Sequence, residues 1–370
     1  MKICILSMQR VQNFGSLLQS YALKSALETL GHSVAFLDIE RNEADNLLLA
    51  GKQHDHGIRE TGLLGKLKKV DRYTGNRIRN KVRNGTQLRK MDAFRQSALG
   101  IGPDAQNRQY DCCVIGSDEV FNCMTGASWG FTGQLFGDVR QADRVITYGA
   151  SAGATVPEEL PDEVKDRIRE AFQNVSAFSV RDENTRRMVA MLTDKPVAEH
   201  FDPVLIGDFD AELKETRLPK DLPERYCVVY SYYNRIRRKE EIEALQDFCR
   251  KHRMEIVTVG APQMWARNFA PMDPFQVLRV FENAAFAVTD TFHGTIFSAR
   301  FADRFAVMTR SNNENKLTDL IDRLGIQSHR VTSFAQLDAI YEQKNNRERV
   351  REICTQEREK TLRYLRENIG

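Results

Sequence analysis

A chain of 370 residues is longer than one ordinary core accommodates, so two domains of about 150–200 residues each are expected. Apolar residues at 41% and charged residues at 28% exclude a disordered or low-complexity protein. The net charge is only +3, so affinity for an anionic partner has to come from local clustering.

Lys2 to Ser7 reads as a strand. Its apolar run stops at Gln9 and Arg10, well short of the roughly 7–15 apolar residues of a secretory signal. No window nears the roughly 18 apolar residues of a membrane span, and a cytoplasmic protein is expected. Leu17, Leu18, Tyr21, Ala22, Ala26 and Leu30 then fit a helix that Gly31 stops, and Val34 to Asp38 gives a second strand. Such β-α-β alternation implies a parallel sheet. The loop Asn13-Phe14-Gly15-Ser16 lies at the carboxyl end of the first strand, where such sheets bind ligands. It has one glycine and not the G-x-G-x-x-G of a dinucleotide site.

From Leu63 to Arg95 the chain becomes strongly basic, with Lys66, Lys68, Lys69, Arg72, Arg77, Arg79, Lys81, Arg83, Arg89, Lys90 and Arg95 against Asp71 and Asp92. A solvated helical insertion is one reading. A patch for an anionic substrate or an anionic membrane face is the other, each basic residue there contributing about 1 kcal/mol. Nucleic acid is not expected, because no recognition motif accompanies the charge.

Tyr110 to Ile115 is a buried strand that runs into Gly116-Ser117-Asp118-Glu119. Ser117 and Asp118 either cap the next turn or face a ligand. Cys112 and Cys113 are strand residues; the seven cysteines contain no C-x-x-C pair, which favours buried thiols in a reducing compartment over a metal site. Arg144 to Ser151 is a strand ending in the small-residue loop Gly149-Ala150-Ser151-Ala152-Gly153. A helix from Pro161 to Asn174 leads to strand Ala177–Val180, which ends at Arg181-Asp182 before helix Glu183–Leu192. Arg181 at a strand end either grips a carboxylate or phosphate bidentately, or pairs with Asp182 or Glu183. Asp202-Pro203 reads as a turn.

After a polar linker at 207–223 the pattern restarts. Strand Tyr226–Tyr230, helix Lys239–His252, strand Glu255–Val259 and helix Asp273–Asn283 precede the strand Phe286–Thr289. Asp290-Thr291-Phe292-His293-Gly294-Thr295 then forms a tight turn into a helix. First-turn amides there favour an anion, and His293 either meets that anion or packs structurally. Arg304–Thr309 is a further strand, followed by a helix Leu317–Leu324. The charged tail from 334 to 368 reads as helical and returns to the first domain. The expected architecture is α/β: two Rossmann-like domains facing a cleft, spanning 1–206 and 224–345, with a C-terminal helix at 346–370.

Several of these segments together resemble the polysaccharide pyruvyl transferase family, whose fold is GT-B-like. They are Asn13–Leu23, Val114–Asn122, Tyr148–Gly153, Ser179–Asp182, Asp202-Pro203, Thr289–Thr295 and the stretch from Asn315-Lys316-Leu317 to Arg330, in the family's order over nearly the whole chain. Phe121 stands where the family usually has tryptophan. The resemblance implies that phosphoenolpyruvate donates pyruvate as a cyclic ketal across two hydroxyls of a sugar, with release of phosphate. It implies donor binding and catalysis by His293 and Arg181. Asp118 is the expected contact or base for the acceptor hydroxyl. Asn13, Ser16, Ser117 and Ser151 are expected on the acceptor side. Gly294, Thr295 and Lys316 are expected on the donor side. No cofactor and no metal are implied. The acceptor is a glycan of a capsule, exopolysaccharide or wall polymer, often linked to a lipid diphosphate, and the basic stretch 66–95 suits a peripheral membrane contact.

Two other readings compete. A GT-B glycosyltransferase would need a carboxylate for the nucleotide ribose, yet no glutamate lies between Asn283 and Asn313. A non-catalytic sugar- or anion-binding relative would not need both His293 and Arg181.

Overall fold

The computed structural model describes residues 1–49, 74–124, 126–233, 235–310 and 314–370, with side chains from 81 and 317 onward in the helices that open the second and last segments. Lys66, Lys68, Lys69 and Arg72 and the side chains of Arg77, Arg79 and Lys316 therefore lie outside the described residues.

The first sheet is all parallel, in the order β2-β1-β3-β4-β5-β6. Its strands are β1 Lys2–Leu6, β2 Ser33–Leu37, β3 Cys112–Asp118, β4 Val145–Ala150, β5 Val175–Val180 and β6 Val197–Glu199. The second is also parallel, in the order β12-β11-β10-β7-β8-β9. It contains β7 Tyr226–Tyr230, β8 Glu255–Val259, β9 Asn268–Phe269, β10 Phe286–Thr289, β11 Phe305–Met308 and β12 Arg330–Val331. Every residue of β3, β4, β7, β10 and β11 is buried. Helices on both faces leave no solvated side, so these strands are continuous apolar runs and not alternating ones. Two parallel six-stranded sheets with helices are the α/β architecture expected from the alternation of elements, and the GT-B-like fold is the one that the family resemblance implied. All seven cysteines are free and buried.

The two halves share an apolar seam. Tyr21 and Phe94 of the first pack edge-on against Phe275 of the second, with ring centroids 5.0 and 5.1 Å away. Such pairs add about 0.5–1.5 kcal/mol each beyond area burial.

The described part of the basic stretch is the helix Thr74–Phe94, continued by the π-turn Arg95–Leu99. It straps the halves together. Arg83 donates to the Phe269 carbonyl at 2.8 Å, and Lys90 reaches Gln276 Oε1 at 3.0 Å. Gln87 exchanges two hydrogen bonds with the Met272 backbone, at 2.7 and 3.0 Å. Arg95 is buried and donates to the carbonyls of Gln9 and Val11, both at 2.9 Å, which holds the β1 loop in place. Arg83, Lys90 and Arg95 thus make intramolecular bonds that a solvated insertion would not.

The final helix, Arg347–Ile369, reaches back to the first sheet. Tyr364 donates to the Thr147 carbonyl at 2.9 Å, and the Thr361 and Tyr148 hydroxyls bond at 2.8 Å. Among the described residues no helix is long and apolar enough to cross a membrane.

Candidate active site

The turn after β10 is built by its own hydroxyls. Thr291 caps the helix Phe292–Phe301, its Oγ1 accepting the Gly294 N–H at 3.0 Å. Thr295 Oγ1 donates to the Thr291 carbonyl at 2.9 Å. A side chain at Gly294 would place its Cβ 2.0 Å from Thr289 Oγ1, so glycine is needed for the turn to close. Gly294 and Thr295 therefore complete the turn, and they do not line the cleft as the sequence suggested. His293, beside them, faces the other domain.

The opposite wall comes from strand ends of the first sheet. Asp118 closes β3 at φ 78°, a conformation that a non-glycine residue keeps only where its surroundings dictate it. Its Oδ2 accepts from Ser16 Oγ at 2.6 Å. Arg181 follows β5 and forks between two carboxylates, at 2.6 Å from Asp202 Oδ2 and 3.3 Å from Asp118 Oδ1. Asp202 is itself fixed by the Val204 N–H, which reaches its Oδ1 at 3.0 Å. His293 completes the group: its Nε2 lies 3.3 Å from Asp202 Oδ2, within ion-pair reach though not aligned as a hydrogen bond. Arg181 also stacks over the Phe292 ring at 4.5 Å from its centre. Relative exposure is 3% for Arg181, 0% for Asp202 and 7% for His293, so water screens little of this interaction.

His293 reaches this place because nothing stands in its way at Gly15. A Cβ there would lie 2.0 Å from His293 Cγ. Asn13 caps the helix Phe14–Thr29 and accepts from the Gly15 N–H at 2.8 Å. The Tyr230 hydroxyl, from β7, reaches the same Asn13 Oδ1 at 3.3 Å. The Gly15 bond fixes the Asn13 side chain within its loop, and the Tyr230 bond ties the second domain to it.

Burial alone would raise both carboxyls. For Asp118 the nearby Arg181 and His293 and the Ser16 hydrogen bond outweigh it and hold the group below the ordinary value. For Asp202 His293, Arg181 and the Val204 amide do the same. Burial works against the Arg181 charge as well, and Asp202 and Asp118 overcome it. Two carboxylates face one guanidinium, and a proton on His293 brings the group to neutrality.

Two local readings of the sequence are corrected. Arg181 does not pair with Asp182 or Glu183: Asp182 caps the helix Glu183–Leu192 and receives Ser151 Oγ at 2.6 Å, and Glu183 binds Arg186. Ser117 and Asp118 do not cap a turn, because β3 continues through both. Ser117 donates to the Gly149 carbonyl at 2.8 Å beneath the site.

A cleft of about 1040 Å³ lies between the domains. Asn13, Ser16, Asp118, Arg181 and His293 line it, whereas Ser117 and Ser151 sit behind the wall. The side chain of Lys316 is outside the described residues. Sequence reasoning missed Tyr232 and Arg235 on the second domain's wall and Trp129 on the first. Arg235 Nε is 3.4 Å from Asp290 Oδ2, which also takes Arg310 Nε at 3.0 Å. Arg310 and Arg238 share Glu241, at 2.6 and 2.7 Å. Arg235, Arg238 and Arg310 thus meet Asp290 and Glu241 in one charged cluster at this sheet edge. Among the described residues no group of three or more His, Cys, Asp or Glu is arranged to hold a metal ion.

In fold, the chain is similar to the UDP-GlcNAc 2-epimerase of Methanocaldococcus jannaschii, at 10% identity over 99% of each chain with a TM-score of 0.48. It is similar to the UDP-N-acetylglucosamine 2-epimerase of Rickettsia bellii at 11% identity, covering 100% of this chain and 96% of that one with a TM-score of 0.49. The glycosyltransferase SsfS6 of Streptomyces sp. SF2575 is 11% identical over 99% of each chain, with a TM-score of 0.44. Likeness at this level says nothing of ligand or chemistry. No curated protein matches the chain. A family model described as polysaccharide pyruvyl transferase matches residues 13–312.

Proposed function

Because the chain belongs to the polysaccharide pyruvyl transferase family, we propose that it moves the enolpyruvyl group of phosphoenolpyruvate onto a sugar of a surface-polysaccharide precursor, forming a cyclic pyruvate ketal and releasing phosphate. The observation that carries this reading is the meeting of His293 from the second domain with Asp118 and Arg181 from the first on the wall of one cleft. The donor is small and highly anionic, and a helix N-terminus with Arg235 beside it favours such a ligand. Lys316 is a further cation for the donor.

In this reading His293 gives a proton to the vinyl carbon of the donor, which becomes a methyl group and leaves C2 with oxocarbenium character. A sugar hydroxyl attacks C2, and its proton passes to the Asp118 carboxylate. Asp118 suits the role because its neighbours keep it ionised, and attack on a cationic carbon makes the hydroxyl proton acidic. Phosphate then departs with a proton, and a second hydroxyl closes the ring at C2. Of the two hydroxyl protons lost, one ends on the methyl group and one on phosphate. Arg181 already bridges two carboxylates, so its part is to hold Asp118 in place while it faces the donor. Asn13 and Ser16 flank the acceptor side.

The acceptor is a glycan, linked to a lipid diphosphate, presented at a membrane face that the basic residues between 66 and 95, other than the internally bonded Arg83, Lys90 and Arg95, contact peripherally. Failure of anionic liposomes to retain the protein at low salt removes this membrane contact. The donor assignment is tested by thermal-shift screening of phosphoenolpyruvate against UDP- and GDP-sugars, together with phosphate release in the presence of lipid-linked oligosaccharides. Stabilisation by a nucleotide sugar alone overturns it.

A further inference from the structure

One member of the buried group has no part in the chemistry above. Asp202 is fully buried, does not line the cleft and so cannot touch a ligand. It is nevertheless the carboxylate that both candidate cations share: its Oδ2 is 2.6 Å from Arg181 and 3.3 Å from His293 Nε2. Its position is set twice over, by the Val204 N–H at 3.0 Å and by the proline that starts the next short helix. Ser117 Oγ, 3.4 Å from the same Oδ2, completes the surroundings.

We propose that Asp202 is a positioning residue that keeps the proton of the neutral His293 ring on Nε2, so that Nδ1 is the atom that meets the ligand. Nε2 is buried and lies beside Asp202, so a ligand in the cleft has no approach to it. Nδ1 lies on the other edge of the ring, beside Gly15, and is not shut in as Nε2 is. The carboxylate favours this tautomer because, at 3.3 Å, it attracts an N–H and repels the lone pair of an unprotonated nitrogen. The charged groups that face the ring are Asp202 and Asp118 from the first domain, with Arg181 between them. The consequence for catalysis rests on the proposed role of His293 in pyruvyl transfer, but the tautomer does not.

The test is a long-range proton–nitrogen correlation spectrum of the full chain labelled at histidine, with the ring neutral and no ligand added. The His293 signal is identified by its loss in His293→Gln. The wild-type ring is expected to carry its proton on Nε2. In Asp202→Asn the negative charge beside Nε2 is lost, so the hold on the Nε2 proton weakens and a larger share of the Nδ1 tautomer is expected. The kcat for phosphate release is then expected to fall by about 100-fold. A wild-type ring protonated on Nδ1 overturns the proposal without any variant, as does an Asp202→Asn protein with unchanged tautomer and unchanged kcat. If the wild-type protein releases no phosphate from phosphoenolpyruvate, the functional reading fails, while the wild-type spectrum still decides the role of Asp202.

Discussion

Gly15 and His293 meet across the cleft so closely that a single methyl group at position 15 would lie 2.0 Å from the imidazole. The working position of the histidine is therefore defined by the absence of a side chain in the other domain. Gly15→Ala is expected to push the ring off the Asp202 carboxylate. The exposed cost to the helix is nil or slightly favourable, since alanine is the better helix former by about 1 kcal/mol. Circular dichroism should be unchanged while kcat/KM falls by about 100-fold, the usual cost of a misplacement near 1 Å. Full activity in this variant would show that the ring does not work from the observed place.

Arg181→Ala leaves Asp118 and Asp202 buried without a guanidinium. Removing one partner of such a buried group costs about 3–5 kcal/mol. The expected outcome in chemical denaturation is a lower midpoint together with lost phosphate release. His293→Ala, which leaves the Arg181 guanidinium between the two carboxylates, should lose phosphate release with a smaller change in midpoint. Equal stability of Arg181→Ala and wild type would mean that the two carboxylates have another counter-charge.

His200 offers a pH prediction away from the cleft. Its Nδ1 bonds Ser179 Oγ at 2.8 Å, and its ring packs on Tyr364 of the last helix at 4.7 Å. Burial first, then Lys360 and Arg323, lower its pKa from 6.5 to about 4. Folding favours the neutral ring, so this contribution is complete above pH 6.5 and is lost as the pH falls towards 4. The shift corresponds to about 3 kcal/mol. Melting temperature should drop over that window in wild type and more shallowly in His200→Asn. Asp118 and Asp202, with lowered values, contribute their loss only below the ordinary carboxylate value of 3.8. Parallel melting curves for the two proteins between pH 6.5 and 4 would contradict the assignment to His200.

Arg95 anchors the loop that carries Met8, Val11 and Asn13 to the cleft wall. Arg95→Met keeps much of the apolar stem but removes the donors to Gln9 and Val11. Weaker stabilisation by phosphoenolpyruvate or by the acceptor, at a modestly lower melting temperature, is the expected result of a thermal-shift titration. Unchanged ligand response would limit Arg95 to a purely structural task.

Buried strands and strand-end positions were legible in the sequence, because a parallel sheet writes them as apolar runs closed by polar turns. Tyr226–Tyr230, Glu255–Val259 and Phe286–Thr289 occur with the expected limits, as does the helix Glu183–Leu192. Asp118, Arg181 and His293 were placed by the same logic, each just beyond a run. The two-residue edge strands Asn268–Phe269 and Arg330–Val331 left no pattern, being too short to show a period. Asp202 and Gly15 were invisible as site residues for another reason. What each does depends on a partner in a distant strand or the other domain, and neither a turn signal nor a lone glycine names that partner. The capping reading of Ser117 failed because a strand carried on where local preference favoured a turn.

The chain leaves the first sheet after Glu199, builds the second between Tyr226 and Val331, and returns with the helix Arg347–Ile369, whose end lies on β4. Two covalent crossings rather than one join the halves. One crossing acts as a swivel and leaves twist unconstrained. The two crossings lie side by side, Arg358 of the last helix donating to the Ile206 carbonyl at 2.7 Å, so together they resist the twist that a lone connection would permit. The imidazole and its carboxylate neighbour are held in register by chain that belongs to neither wall of the cleft.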